Sequence, residues 1–258
     1  MIELHHGDCR DFISKYKDSV DLVVTSPPYD NLRSYDGTNN NCSFDFDTFK
    51  AVAHCLWGAV KDGGVVVWVV GDQVINGSET GTSFKQALYF MEVGFRLHDT
   101  MIYSKDGSPF PDKTRYRQEF EYMFVFSNGR PRYVNIMKKR NKYGGMLLNA
   151  GERQRDGTVK NKNVWLRRTG ARGNVWKINS GYGKTTNDRY AYKHPAMFPE
   201  ELAYRHIGSW SKKGDVVMDP FMGAGTTGKM AVRLNRGFVG MEINEEYFNI
   251  AKERIDNA

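Results

Sequence analysis

The sequence predicts an α/β fold with a doubly wound, mostly parallel sheet. Three observations carry that prediction. Short β-branched runs alternate with stretches of helical spacing along most of the chain. The clearest run, 65–70 (Val-Val-Val-Trp-Val-Val), is apolar throughout, as a strand covered on both faces must be. A Gly-rich turn at 220–225 separates a strand from a helix near the C-terminus.

The elements follow in order. Residues 20–25 (Val-Asp-Leu-Val-Val-Thr) form a buried strand, which Pro27 and Pro28 force into a turn. A helix over 46–60 is stopped by Asp62, Gly63 and Gly64, and the strand 65–70 follows. Residues 84–94 form another helix with a Gly stop, and 97–103 and 122–126 are strands. From 127 to 193 the chain is rich in Gly, Asn, Lys and Arg without a clear period. That is too long for an ordinary connection and implies a functional insertion. Order returns with a helix over 199–209, a strand at 216–219, the turn, a helix over 226–234, a strand at 238–243 and a last helix over 245–255. Right-handed crossovers place helices on both faces of such a sheet.

The 258 residues make one large domain, or one domain with a sizeable insertion, and can build a core that needs no staples. No apolar run approaches the roughly 20 residues that cross a bilayer. The start, Met1-Ile2-Glu3-Leu4, lacks a basic-then-apolar signal, so no membrane and a cytoplasmic location are expected. Cys9, Cys42 and Cys55 are odd in number and widely spaced, which fits reduced thiols and no metal site. The net charge of +7 is unevenly placed: residues 130–193 hold 17 Lys and Arg against Glu152, Asp156 and Asp188, so that window carries +14 and the rest −7. Tyr143, Trp165, Trp176, Tyr182, Tyr190 and Tyr192 lie among these cations. Phosphates need cations and bases stack on rings, so the window points to nucleic acid.

Two constellations carry chemistry. In Asp219-Pro220-Phe221-Met222-Gly223-Ala224-Gly225-Thr226-Thr227, glycines admit a ligand close to the backbone and a helix N-terminus offers free N–H groups. Glu242, at the end of the next strand, suits a ribose diol. Alone, this site fits NAD as well as S-adenosylmethionine. The other constellation is Thr25-Ser26-Pro27-Pro28-Tyr29. Its prolines remove two backbone donors and leave acceptors beside an aromatic ring, which suits a planar base bearing an NH₂ group.

With Val24 before it, the 25–29 segment resembles the catalytic motif of the DNA amino-methyltransferases, and 219–227 resembles their S-adenosylmethionine motif. The order, catalytic motif first and cofactor motif last, is similar to the circularly permuted β class of that family. His6-Gly7-Asp8 and His194-Pro195-Ala196-Met197-Phe198-Pro199 are further matches. The resemblance implies a seven-stranded Rossmann-like sheet in three parts: a catalytic half (1–129), a target-recognition region (130–193) and a cofactor-binding half (194–258). It implies catalytic roles for Ser26, Pro27, Pro28 and Tyr29. It also implies that Asp8, Thr25, His194, Phe198, Asp219, Phe221, Gly223, Gly225, Thr226, Thr227 and Glu242 bind the cofactor. Double-stranded DNA is the implied partner, alongside a cognate restriction endonuclease and a homodimeric state. Arg33, Lys138, Lys139, Arg140, Arg167, Arg168 and Arg172 are the DNA contacts expected from charge and position.

Two features favour N4 of cytosine. Ser26 stands where adenine enzymes more often carry Asp or Asn, and 194–199 departs from the H-P-T-Q-K-P form common in adenine-N6 relatives. Adenine N6 is the alternative, with an RNA amine behind it. An NAD-dependent oxidoreductase would give the 25–29 segment and the basic window no role. A DNA-binding regulator with decayed catalysis would not need both motifs intact.

Overall fold

A computed structural model of the protein describes residues 1–28, 44–105 and 113–258. These residues form two compact units, one of Met1–Val134 with Asn174–Ala258 and one of Asn135–Gly173. In the first unit, β1 (Ile2–His6), α1 (Cys9–Ile13), β2 (Val20–Thr25), α2 (Phe46–Ala59), β3 (Val60–Val70), β4 (Val74–Ile75), β5 (Ser78–Glu79), α3 (Thr82–Val93), β6 (Arg96–Ser104) and β7 (Phe120–Ser127) follow one another. The second unit holds β8 (Lys138–Arg140), β9 (Leu147–Arg153), β10 (Val159–Trp165) and β11 (Thr169–Ala171). The chain completes the first unit with β12 (Val175–Lys177), α4 (Glu200–Trp210), β13 (Val216–Asp219), α5 (Thr226–Arg233), β14 (Gly237–Glu242) and α6 (Glu245–Asp256).

The main sheet runs β1-β14-β13-β2-β3-β7-β6-β12. Its neighbours pair in parallel except where β7 meets β3 and β6. The doubly wound, mostly parallel architecture is therefore present, with eight strands where seven are expected. The two edge strands, β1 and the three-residue β12, are not among the strands read from the sequence. Strand β12 lies in the stretch read as insertion, so residues 174–193 belong with the sheet and the separate unit is narrower than the 130–193 window.

Local chemistry accounts for most boundaries. Asp45 caps α2 by accepting the Thr48 N–H at 2.7 Å. The expected stop at 62–64 is not a break, because β3 runs through it. Between Val20↔Val60 and Leu22↔Val65 the register shifts, and Gly63 takes φ +74° there. This is a bulge, for which glycine is suited. Residues 65–70 are buried on both faces. Trp68 packs edge-on against Phe49 at 5.7 Å and Phe90 at 5.1 Å, and its indole N–H donates to Gln86 Oε1 at 2.8 Å. Burying each such ring stabilises the fold by about 1.5–3 kcal/mol, and the amide satisfies the indole's polar atom.

The second unit is a long two-stranded ribbon. Pairs β8–β11 and β9–β10 are both antiparallel. Bonds from Asn141 N to Arg168 O (2.9 Å), Gly145 N to Leu166 O (2.8 Å) and Leu166 N to Met146 O (3.0 Å) carry the pairing between them. Among the described residues no helix is long and apolar enough to cross a membrane.

Candidate active site: two strand ends and a glycine turn

Strands β2 and β13 are parallel neighbours, with Leu22 opposite Val217 and Val23 opposite Met218. Their carboxyl ends therefore emerge side by side, and each ends in one of the two motifs. This is where open α/β sheets bind ligands. Ser26 and Pro28 are half-buried and Pro27 is buried at the end of β2. Tyr29 and Arg33 lie outside the described residues.

Thr25, Asp219 and Thr227 form one buried cluster. Thr25 Oγ1 donates to Asp219 Oδ1 at 2.6 Å, and the Phe221 N–H donates to the same oxygen at 3.1 Å. Thr227 Oγ1 donates to the Val24 carbonyl at 3.1 Å and also contacts the Asp219 carboxylate. Burial pushes the Asp219 carboxyl up to about 6 against the pull of these bonds, with the Glu242 charge adding to the rise. Hydroxyls so placed hold two strand ends together. Thr25 and Thr227, both expected at the cofactor, have buried side chains whose hydroxyls bond to protein acceptors. Thr226 is also buried, its Oγ1 accepting from Arg254 Nη1 at 3.2 Å.

The glycine turn is shaped by its neighbours. Gly223 takes φ +49°, and a Cβ there would stand 2.8 Å from His194 Nε2. Gly225 takes φ +78°, and its Cβ would meet Ala251 Cα at 2.9 Å. The His194 ring packs edge-on against Tyr247 at 4.5 Å, and its Nδ1 accepts from Ala196 N at 3.2 Å. This 194–199 segment therefore lies against the turn, with Phe198 half-buried. Phe221 packs against Phe44 at 5.1 Å and Trp68 at 6.2 Å.

Glu242 closes the other side. Its Oε2 accepts the Gly223 N–H and its Oε1 the Asn244 N–H, both at 2.9 Å. Burial raises its pKa despite these bonds. The Ile243 N–H also bonds to this carboxylate, and its two oxygens together offer about four acceptor sites, so acceptor capacity remains for a hydroxyl donor such as that of a ribose diol. Strand β1 brings Gly7 alongside, its N–H donating to the Glu242 carbonyl at 2.9 Å. Asp8 caps α1 and pairs with Arg10 at 2.6 Å, and that hydrogen bond holds its carboxyl below the usual range. A positive-φ glycine cradle, a helix N-terminus and a half-buried carboxylate with spare acceptors together fit an adenosyl amino acid.

One group of residues escapes sequence reasoning. Arg254 and Lys229 are 1% and 4% exposed. Lys229 pairs with Asp188 at 2.6 Å and Glu200 at 2.8 Å, and Arg254 pairs with the same two at 2.8 and 3.0 Å. Burial opposes ionisation of both carboxylates, but the bonds from Lys229 and, for Asp188, Arg254 outweigh it and hold their pKa values down. Arg254 Nη1 also donates to the Ala224 carbonyl at 2.5 Å, within the cofactor turn. On the sequence, Arg254 reads as a solvated charge of the last helix.

In the second unit, Lys138, Lys139, Arg140, Arg167, Arg168 and Arg172 are all exposed. The ladder pairs Arg140 with Thr169, Lys139 with Gly170 and Lys138 with Ala171.

A mostly parallel α/β sheet with a nucleoside-type turn beside the acceptors of Ser-Pro-Pro fits a group-transfer enzyme acting on an amine. The chain matches the model of the DNA methylase family over residues 20–253 and belongs to that family. It is 51% identical to the orphan methyltransferase M.BamHII of Bacillus amyloliquefaciens, over 97% of this chain and 91% of that protein. Among solved structures, it resembles the cytosine-N4-specific PvuII DNA methyltransferase with TM-score 0.71 and 20% identity, covering 97% and 85% of the two chains. It also resembles M1.HpyAVI in complex with S-adenosylmethionine, with TM-score 0.64 and 25% identity over 99% and 100%. The protein is thus an S-adenosylmethionine-dependent DNA methyltransferase of the N4-cytosine or N6-adenine class.

Proposed function

We propose that the enzyme methylates the exocyclic N4 amine of cytosine at a specific duplex DNA sequence, with the target base flipped out of the helix. The observation that carries this reading is the Ser26-Pro27-Pro28 corner, set beside the glycine turn by the β2–β13 pairing. Ser26 at the first motif position and the form of 194–199 favour cytosine; adenine N6 is the alternative.

S-adenosylmethionine supplies a methyl group on a positively charged sulfur. The chain's own residues do the rest. Glu242 takes the ribose hydroxyls, while Gly223 and Gly225 shape the turn that receives the amino-acid part. His194, Phe198, Phe221 and Asp8 line the site, and Asp219 sets the electrostatics beneath it. A conjugated amine is a poor nucleophile. Ser26 Oγ and the Pro27 carbonyl accept hydrogen bonds from its two N–H groups, draw the nitrogen toward tetrahedral geometry and stabilise the positive charge that develops on it, which is discharged when one proton leaves to solvent after methyl transfer. Pro28 keeps the corner rigid and removes a backbone donor. In this reading Tyr29 stacks on the flipped base. Residues Lys138, Lys139, Arg140, Arg167, Arg168 and Arg172 hold the DNA, joined by Arg33. Homodimerisation, a restriction endonuclease sharing the target and a cytoplasmic location complete the reading.

Single-molecule sequencing of DNA from cells expressing the protein, with Ser26→Ala as control, tests it. N4-methylcytosine at one sequence, lost in the variant, is expected. Methylation at adenine would replace the base, and wild-type modification by Ser26→Ala would remove the account of amine activation.

A further inference from the structure

The β9–β10 pair stands as a two-stranded sheet, with no third strand among the described residues. All of its residues are exposed except Leu148 and Val164, which are half-buried. A lone hairpin of this kind is marginal in water, and its open edges are ordinarily covered. Register sorts its side chains into two faces. Leu147↔Trp165, Asn149↔Asn163, Gly151↔Asn161 and Arg153↔Val159 share one face; Leu148↔Val164, Ala150↔Lys162 and Glu152↔Lys160 share the other. The half-buried Leu148–Val164 pair lies on the second face, whereas every residue of the asparagine face is exposed.

We propose that this ribbon reads the target sequence by entering the major groove of duplex DNA with its wholly exposed face, Asn149, Asn161 and Asn163 contacting base edges. The proposal rests on the DNA methyltransferase reading of the site and adds which residues set specificity. Three features of the ribbon support it.

A carboxamide presents a donor and an acceptor in one plane, the pattern that pairs with adenine N6 and N7 in the major groove. Three of them lie on one face with no carboxylate among them. Gly151 makes room at their centre: a Cβ there would stand 2.8 Å from Val159 Cγ1 and 3.4 Å from Asn161 Oδ1. The charge is complementary as well, since residues 135–173 hold 11 Lys and Arg against Glu152 and Asp156. The dimensions match too. Seven-residue strands span about 23 Å, and a two-stranded ribbon fits a groove about 12 Å wide. Lys160 and Lys162, on flexible stems, reach the flanking phosphates from the opposite face.

The test compares two double variants of exposed residues, Asn149→Ala with Asn163→Ala and Lys160→Ala with Lys162→Ala. Affinity is measured for target and nonspecific duplexes across a salt series, and methylated sites are mapped by sequencing. The asparagine variant should lose about tenfold or more in the ratio of target to nonspecific affinity while keeping the wild-type salt slope. The lysine variant should keep the ratio and weaken binding to both duplexes, its log–log salt slope shallower by about 2. An asparagine variant with unchanged ratio and unchanged sites overturns the proposal, as does a lysine variant that changes the sequence methylated. Failure of the underlying reading shows differently: the wild-type protein would leave DNA unmodified, and the proposal would fall with it.

Discussion

Thr25 and Asp219, 194 positions apart in the chain, share a buried hydrogen bond of 2.6 Å. It joins the carboxyl end of the strand bearing the Ser26-Pro27-Pro28 corner to that of the strand bearing the glycine turn. With the Thr227 hydroxyl on the Val24 carbonyl and the β2–β13 ladder, it fixes the two strand ends against each other.

Thr25→Val keeps the shape of the side chain and removes its donor. The Asp219 carboxylate then loses a partner in a fully buried place, a cost of about 1–3 kcal/mol. Urea unfolding should show that loss, and methyl transfer should slow more than cofactor affinity falls. An unchanged rate would mean the bond does not set the geometry.

Glu242→Ala should weaken S-adenosylmethionine binding by about 1.5–3 kcal/mol, the scale of charge-assisted hydrogen bonds. Part of the loss comes from the Gly223 N–H, which Glu242 holds at 2.9 Å. Glu242→Gln keeps an acceptor and should lose less. Calorimetric titration measures both, and equal affinity for wild type and Glu242→Ala would exclude the ribose role.

Arg254→Met leaves Asp188 and Glu200 with Lys229 and removes the donor to the Ala224 carbonyl. Breaking a buried pair from one side costs about 3–5 kcal/mol. Denaturant unfolding should show that loss, with partial recovery in Arg254→Lys. A Met variant as stable as wild type would mean that the cluster does not hold the turn.

His206 is fully buried, its ring tilted against Trp176 at 4.6 Å with Nε2 3.2 Å from Met123 Sδ. Burial, aided by the Arg205 cation, lowers its pKa from 6.5 to about 3. Between those values the unfolded chain binds a proton that the folded one refuses. The stability contribution is therefore whole above 6.5 and lost as pH falls toward 3, by up to about 5 kcal/mol. His206→Leu should flatten the fall in stability between pH 6.5 and 4 in urea titrations. An unchanged slope would assign the acid sensitivity to other groups.

The two motifs are legible in the sequence because their chemistry requires particular residues in unbroken runs: two prolines without backbone donors beside a serine at 26–28, and glycines before a helix at 223–225. The alternating apolar strands are legible because burial on both faces leaves no polar position. The ribbon is hidden for the opposite reason. Strands exposed on both faces have no period-two alternation, so 147–165 reads as patternless. Strands β1 and β12 escape because a short edge strand takes its stability from a neighbour far along the chain. The Asp188–Glu200–Lys229–Arg254 cluster escapes because its four members come from four separate segments, each looking like an ordinary surface charge. Local composition thus determines which chemistry the chain carries. Long-range packing determines which charges are buried, which hydroxyls become clamps, and how two motifs at opposite ends of the sequence meet, because those outcomes depend on contacts between residues far apart in the chain.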